Sequence, residues 1–396
     1  MEPWCPSEIE RAMERPMPKP LPFLCASALA LSLTACAGTI NNSTTDTASN
    51  VTFTFTDSGV TAAGETDTGY EIDGTALTIT SSGTYTVSGS CADGSIKVKK
   101  STTGVTLVLD GLTLTSENTA AITCGKSSEV TILVSNGTEN SLSDTEQNND
   151  DNYPENENAE NAVIKCKDGS LVTLCGDGEL TITANGKNGI KSGATTDEDG
   201  EASLTIRDLT LNIDAPVNDA INAEQLLNVE SGTLTIDAYS SAGDGFDSNG
   251  DLTISGGTVA VWTANTADNQ PLDADGTITV SGGTVLAAGG SSGMGMNLEA
   301  AQPCVIYGST GFGGMPGSTQ SSLIAADADF TIEDADGNAV YSGTARCGAN
   351  FILFSSADVV ADSAYTLKAG NSSTEGTAQS GTVSTGMGMG CLLYTS

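Results

Sequence analysis

Acidic residues recur at fixed positions around short apolar centres in the middle of the chain. Asp219 and Asp244 stand two residues before a centre, and Asp247, Asp273 and Glu299 stand one residue after one. Carboxylates stacked about 5 Å apart repel one another or raise one another's pKa, unless a cation lies between them. Calcium takes six to eight oxygen ligands, which carboxylates and turn carbonyls supply. The sequence therefore predicts a calcium site, the alternative being a solvated acidic turn, and the candidate ligands are Asp219, Asn222, Asp244, Asp247, Asp273 and Glu299.

Two lysines precede these acids at equivalent positions of the pattern. Lys191 lies beside Asn222 in the same predicted column, and Lys165 lies one unit earlier. Elimination from a uronate polymer needs a cation that acidifies the proton beside the carboxylate and a base that removes it. Lys191 and then Lys165 are the candidate bases. The alternative, which we favour because no basic cluster accompanies them, is that both lysines balance charge in an acidic wall.

An aromatic side chain is predicted on the outer surface of the same unit. In the segment Val259–Trp262 the two valines face inward, so Trp262 is expected to face outward. An exposed indole offers an apolar face to a sugar ring. Asp237 is the equivalent residue one unit earlier, and Tyr239 lies nearby. These three residues are the candidate carbohydrate contacts, and the alternative is a tryptophan that a loop partly covers.

The elements that position these residues form a repeat. Its central apolar residues are separated by 31, 25, 26 and 26 residues, and an insertion at 193–202 explains the long first step: Ile190, Ile221, Phe246, Leu272 and Leu298. Short β-branched strands with period-two alternation follow each centre, with Gly, Asn and Asp between them. This pattern predicts an all-β solenoid with about 25 residues per rung over residues 51–300. Residues 301–385 break the period and predict a small C-terminal β cap over the open strand edges.

Two segments upstream fit the same template and bring two cysteines together. Cys124 and Cys166 both stand two residues after a centre, in a column of small, inward residues. Adjacent rungs would place their Cα atoms within disulfide range. The alternative, which we favour, is that both are small core side chains. The intervening segment 144–160 is rich in Asn, Asp and Glu and is predicted to be a solvated loop insertion.

Composition excludes several functions. The chain has 396 residues with 50 acidic and 14 basic side chains, a formal net charge of -36, and no histidine. Nucleic-acid binding needs a basic surface, so we expect no nucleic-acid partner. Catalysis by histidine and zinc sites with histidine ligands are excluded as well.

The N-terminus has the features of an export signal. Basic residues precede the apolar run at 21–33, which is too short to span a membrane, and residues 33–36 resemble a bacterial lipobox. We expect a signal peptide at 1–35, with Met13 or Met17 as alternative starts, and lipidation of Cys36. Residues 36–50 would be a Ser/Thr/Asn tether to the membrane, which predicts an exported lipoprotein at the bacterial cell surface. Residues 386–396 continue no pattern and are treated as a doubtful tail.

The repeated units resemble a known family. The segments 219–222, 244–248 and 250–257 are similar to the calcium-binding parallel β-helix carbohydrate-binding domains of bacterial surface proteins. The resemblance implies a right-handed β-helix, related in shape to polysaccharide lyases, that binds calcium and either cellulose or acidic pectin-type chains. The acidic motif of the family falls on Asp219, Asp244, Asp247 and Asp273. Asn222 and Gln270 depart from the motif, which leaves the number of ions open.

Taken together, the sequence predicts a non-catalytic surface lipoprotein that binds polysaccharide in a calcium-dependent manner. The alternatives are a calcium-dependent polysaccharide lyase, which would use Lys191 or Lys165, and an adhesin or structural spacer that binds proteins.

Overall fold

The computed structural model describes residues 49–64, 68–194, 204–240, 243–267, 269–290, 296–308 and 321–384, all within one compact unit, Asn41–Ser396. The described residues form strands and turns and no helix, which confirms the all-β prediction. The strands are, in chain order, β1 (Ser49–Thr56), β2 (Gly59–Gly64), β3 (Tyr70–Asp73), β4 (Ala76–Ile79), β5 (Gly83–Cys91), β6 (Ser95–Val98), β7 (Val105–Ser116), β8 (Ile122–Cys124), β9 (Glu129–Val134), β10 (Glu139–Asp144), β11 (Ala162–Cys166), β12 (Leu171–Gly176), β13 (Glu179–Thr183), β14 (Asn188–Ser192), β15 (Leu204–Arg207), β16 (Thr210–Asp214), β17 (Ile221–Ala223), β18 (Leu227–Val229), β19 (Thr233–Ala238), β20 (Phe246–Ser248), β21 (Leu252–Ile254), β22 (Thr258–Thr263), β23 (Leu272–Ala274), β24 (Ile278–Val280), β25 (Thr284–Gly289), β26 (Asn297–Gly308), β27 (Asp329–Glu333), β28 (Ala339–Thr344), β29 (Phe351–Ser355), β30 (Ala364–Ala369), β31 (Ser372–Thr377) and β32 (Gln379–Ser384).

Most strands belong to three parallel stacks, and each strand from β10 to β25 pairs with the third strand before it. The first stack contains β4, β6, β8, β11, β14, β17, β20 and β23. The second contains β9, β12, β15, β18, β21, β24 and the start of β26. The third contains β10, β13, β16, β19, β22 and β25. The long strand β7 pairs with both β9 and β10 and so joins the second and third stacks.

The register of the first stack aligns the apolar centres of the repeat. Ile190 pairs with Ile221, Ile221 with Phe246, and Phe246 with Leu272, as the sequence predicted. These side chains are all at most 1% exposed. Alternate residues of the three stacks point into one continuous apolar core, in which β-branched and leucine side chains fill successive layers. The outward residues between them form columns that run from strand to strand.

The stacks begin beside antiparallel strands, and the second and third stacks also end on them, whereas β23 is the edge strand of the first stack among the described residues. At the start, β2 pairs antiparallel with β1, and β3 with β4. At the other end, β29 pairs antiparallel with β25 and with β26, and β32 with β26. A separate antiparallel sheet has the strand order β28, β27, β30 and β31, and β27 and β28 form a hairpin within it. Strand β26 crosses the predicted boundary at residue 300. Its first half pairs with β24 in the second stack, and its second half pairs antiparallel with β29.

Several sequence predictions lie outside the described residues: the signal peptide, Cys36, the tether up to residue 48, and the tail at 386–396. Strand β1 begins at Ser49, two residues inside the predicted tether. Among the described residues no helix is long and apolar enough to cross a membrane.

Candidate functional site

Three aspartates meet where the turns before β17 and β20 adjoin the first stack. Asp219 and Asp244 occupy the turns two residues ahead of Ile221 and Phe246, and Asp247 follows Phe246 on the outer face of β20. One carboxylate oxygen of each lies within 4.8 Å of the others. Among the described residues this is the one group of acidic, cysteine or histidine side chains with such spacing. We call Asp219, Asp244 and Asp247 the acidic cluster.

The backbone between these aspartates is tightly packed. Gly245 separates Asp244 from the buried Phe246, and a Cβ atom at this position would lie 2.1 Å from Val261 Cγ1 and 2.5 Å from the carbonyl oxygen of Pro271. Asp219 Oδ1 also accepts a hydrogen bond of 3.0 Å from the backbone N–H of Asp244. The carboxylates are therefore held in place by the main chain of neighbouring strands.

In the described part of the chain, Lys191 and Lys187 act on the acidic cluster only through smaller charge effects and not through direct ion pairs. None of the ion pairs formed by the described residues includes a member of the acidic cluster. Burial raises the pKa of Asp219, and it raises that of Asp244 well above its usual value, with further contributions from Asp219 and Asp273. Burial, followed by the charges of Asp219 and Asp273, raises the pKa of Asp247 to about 7. A bound cation would reverse this effect and keep the carboxylates ionised.

Two amide oxygens beside the cluster are buried without a hydrogen-bond partner. Asn222 donates from Nδ2 to Asp219 Oδ2 at 2.9 Å and to Asp247 Oδ2, while its Oδ1 is unpaired. Gln270 occupies the turn position after Asp244 in the column, donates its backbone N–H to Asp244 Oδ1, and has an unpaired Oε1. Buried polar atoms are normally paired. Carboxylate and amide oxygens without thiolate or imidazole form a donor set that suits calcium.

The two other predicted ligands lie elsewhere. Asp273 pairs in register with Asp247 and raises its pKa, but it is not a member of the acidic cluster. The predicted position of Glu299 is wrong, because Glu299 pairs with Thr279 in the second stack and accepts a hydrogen bond from Thr382. After β22, eight residues lead to β23, the next strand of the first stack. After β25 only seven residues precede β26, so this connection has no room for a further strand of the first stack. The 26-residue step from Leu272 to Leu298 therefore does not reflect structural equivalence.

The lysines occupy the expected column. Lys165 pairs in register with Lys191, Lys191 with Asn222, and Asn222 with Asp247. Lys191 Nζ lies 3.6 Å from Glu224 Oε1. Burial and then the charge of Lys191 lower the pKa of Lys165. The outward column of the first stack thus changes from basic to acidic along its length.

The predicted carbohydrate surface is covered. Trp262 is 2% exposed and meets Phe330 edge to face, with ring centroids 6.1 Å apart. Asp237 is buried and accepts hydrogen bonds from the Arg346 guanidinium, while the Tyr239 hydroxyl donates to Asp237 Oδ1 at 2.6 Å. The prediction that Trp262 faces solvent is wrong because the C-terminal sheet packs against the outer face of the third stack. Of the three residues, Tyr239 retains substantial exposure.

Cys124 and Cys166 pair in register, as predicted, and both are free and completely buried. A hydrogen bond with Cys166, followed by burial, raises the pKa of Cys124 well above its usual value. They act as small core residues in this structure.

Comparison with known proteins identifies the family of the chain. A family model described as "Carbohydrate-binding domain-containing protein" matches residues 73–385. The chain belongs to this family. A protein of the same description from Acetivibrio thermocellus is 38% identical over 118 residues, which cover 28% of this chain and 38% of that relative. A solved structure titled as the polysaccharide lyase-like protein from C. thermocellum, gadolinium derivative, is similar with 26% identity and a TM-score of 0.45, over 59% of this chain and 92% of the other.

Proposed function

We propose that this protein binds polysaccharide without cleaving it and that calcium at the acidic cluster is required for binding acidic chains. The observation that carries the proposal is the group of three converging carboxylates with two unpaired buried amide oxygens beside it. Asp219, Asp244, Asp247, Asn222 and Gln270 would supply oxygen ligands. The ion would neutralise a buried group of acids and offer a positive charge to a uronate carboxylate.

The strand pairing supports a right-handed parallel β-helix as the scaffold, with about 25 residues per rung. Each strand of the first stack is in register with the next, so equivalent side chains recur roughly every 4.8 Å along the surface. A polymer lying along this column would meet Lys165 and Lys191 before the calcium site. A repeated surface of this kind suits an extended chain because successive strands present groups at a regular spacing.

Calcium binding is tested by calorimetry on the chelator-treated protein. We expect one or more ions to bind the native protein and the double variant Asp244→Asn/Asp247→Asn to lose the tightest site. Asp275→Asn is the matched control, because Asp275 is an exposed acid in the turn after β23. Equal calcium binding by the double variant and the control would refute the assignment of the acidic cluster.

Polysaccharide binding is tested by sedimentation with cellulose and by affinity electrophoresis with polygalacturonate. Each assay is run with calcium and with excess chelator, and the ultraviolet absorbance of unsaturated products is recorded. Calcium-dependent retention by polygalacturonate without product is the expected result. Product formation would identify a lyase and make Lys191 the first residue to replace, whereas binding to neither polymer would favour an adhesin.

We also propose that the protein is exported and anchored at the bacterial cell surface through a lipid on Cys36, on the strength of the lipobox-like residues 33–36. Metabolic labelling with an alkyne fatty acid tests this. The native chain is expected to carry the label and the Cys36→Ala variant to lose it, and equal labelling of both would reject the proposal.

A further inference from the structure

A polar groove of about 540 Å³ lies on the first stack, three strands away from the acidic cluster. Its floor is formed by β6 and β8, one wall by the segment at the end of β7, and the other wall by the loop 145–161. The step from β8 through β11 and β14 to β17 corresponds to roughly 14 Å, so the groove is separate from the calcium site. Its volume lies within the range typical of ligand pockets.

The loop that forms the outer wall is fixed in place. Asn148 is completely buried, donates from Nδ2 to the carbonyl oxygen of Ala162, and accepts at Oδ1 from the backbone N–H of Glu160. Asn156 donates from Nδ2 to the carbonyl oxygen of Asn118 on the opposite wall, at 2.8 Å. The prediction that 144–160 is a solvated insertion therefore holds for only part of it, since its buried asparagines fold it over the stack. The groove is formed before any ligand arrives.

Two mostly buried residues with hydroxyl groups line the groove. Thr123 is 5% exposed and stands in the outward column between Lys97 and Lys165, and Ser116 is 1% exposed. Both residues line the groove, and neither makes a side-chain hydrogen bond to another described residue. Their hydroxyl oxygens are not among the buried unpaired atoms of the described residues and stay accessible from the groove, so a ligand lying there can exchange hydrogen bonds with them.

The charges around the groove select the class of ligand. Three acids, Asp93, Glu157 and Glu160, and one lysine, Lys97, line the groove. Glu160 also pairs with Lys167 at 2.6 Å, which leaves the rim with an excess of negative charge. Such a rim repels a polyanion. It also fails as a cation site, because in the described part of the chain these acids do not converge closely enough to share an ion. Carboxylates that accept hydrogen bonds, together with hydroxyl groups that donate or accept, suit the hydroxyl groups of an uncharged sugar.

From these observations we infer that the groove is a second carbohydrate site, which takes an uncharged saccharide unit and needs no calcium. The inference rests on the proposed function only in that the ligand is a carbohydrate. Thr123 and Ser116 contact the sugar from the floor, and Glu157 accepts from its hydroxyl groups at the rim. The protein would then hold a polymer at two points of one face, through neutral units here and through uronates at the acidic cluster.

The test is calorimetric titration of the calcium-free protein, in chelator, with neutral gluco-, xylo- and manno-hexasaccharides. We expect at least one to bind, and Thr123→Val and Glu157→Gln each to weaken it about tenfold, the effect of one lost hydrogen bond. Glu157 is exposed on the loop, so its variant keeps the core intact even if Thr123→Val disturbs it. Thr181→Val, a half-buried outward threonine on β13, is the matched control.

The outcomes separate the groove from the calcium site. Asp244→Asn should leave neutral-sugar binding unchanged, and Glu157→Gln should leave calcium-dependent binding to polygalacturonate unchanged. The inference is overturned if none of the hexasaccharides binds in chelator, or if Thr123→Val and Glu157→Gln bind as tightly as Thr181→Val. Loss of neutral-sugar binding in Asp244→Asn would also overturn it, because the two sites would then be one.

Discussion

Removal of the Arg346 guanidinium should loosen the C-terminal sheet from the stacks. In the native structure Arg346 Nε lies 2.7 Å from Asp237 Oδ1 and 2.9 Å from Oδ2, and the terminal nitrogen also donates to Oδ2. The Asp237 side chain is 8% exposed, whereas that of Arg346 is 49% exposed. Arg346→Ala would therefore leave a buried carboxylate with the Tyr239 hydroxyl as its remaining donor among the described residues.

The magnitude follows from the burial of the two partners. Breaking a fully buried ion pair by removing one partner costs about 3–5 kcal/mol. Here water can enter where the half-exposed guanidinium lay, and Tyr239 still donates, so we expect the unfolding free energy to fall by about 2 kcal/mol. Asp237→Asn should cancel much of this loss in the double variant, since no buried charge would then remain.

The assay is urea unfolding of the single and double variants, followed by circular dichroism. Lys126→Ala is the control, because Lys126 and Asp168 form an exposed pair with side-chain exposures of 64% and 61%, which is expected to contribute less than about 1 kcal/mol. If Arg346→Ala lowers the unfolding free energy no more than Lys126→Ala does, or if Asp237→Asn fails to rescue it, the buried pair does not hold the C-terminal sheet in place.

Three further results are expected. Without calcium, the folded protein keeps a proton on Asp247 up to about pH 7 that the unfolded chain loses near pH 4, so stability should fall as pH rises through this window. The shift corresponds to about 4 kcal/mol, and the partial exposure of Asp247 reduces the expected fall to about 2 kcal/mol. Urea unfolding with and without calcium checks this, and a pH slope that calcium leaves unchanged would count against it. Gly245→Ala places a methyl group 2.1 Å from Val261 Cγ1, so it should lower the melting temperature by several degrees and weaken calcium binding. Calorimetry measures both quantities, and a result showing neither effect would contradict the close packing. Cys124 and Cys166 should react with a thiol reagent in urea but not in the native protein at pH 8, because both are buried and the pKa of Cys124 is raised. Mass spectrometry measures the labelling, and rapid labelling of the native protein would mean that the core opens at these residues.

The repeat carries enough information to predict the strands and much of their register. Period-two alternation distinguishes inward from outward residues, and the steps between Ile221, Phe246 and Leu272 are confirmed by direct pairing. The acidic cluster could be predicted for the same reason, since two turn aspartates and one strand aspartate recur at neighbouring positions. The unpaired amide oxygens of Asn222 and Gln270 could not, because hydrogen-bond satisfaction depends on every surrounding side chain.

The errors arise where the period ends. Leu298 has the right spacing from Leu272, but spacing alone does not show that the chain has moved to another stack. Trp262 has the alternation of an outward residue, and it does face away from the main core, yet the sequence does not show which surface the C-terminal sheet covers. Arg346 lies 109 residues from Asp237 along the chain, and no local pattern connects them.

The antiparallel strands that border the stacks have a consequence for how the protein can change over evolutionary time. Each parallel strand is bonded only to its neighbours in the stack, so duplication of one 25- or 26-residue unit in the interior would add a layer without altering the closing strands. Because every added layer would lengthen the outward column by one position, the reach of the surface toward a polymer can be adjusted in discrete steps. The strands that close the second and third stacks, β29 and β32, would remain unchanged in a longer version.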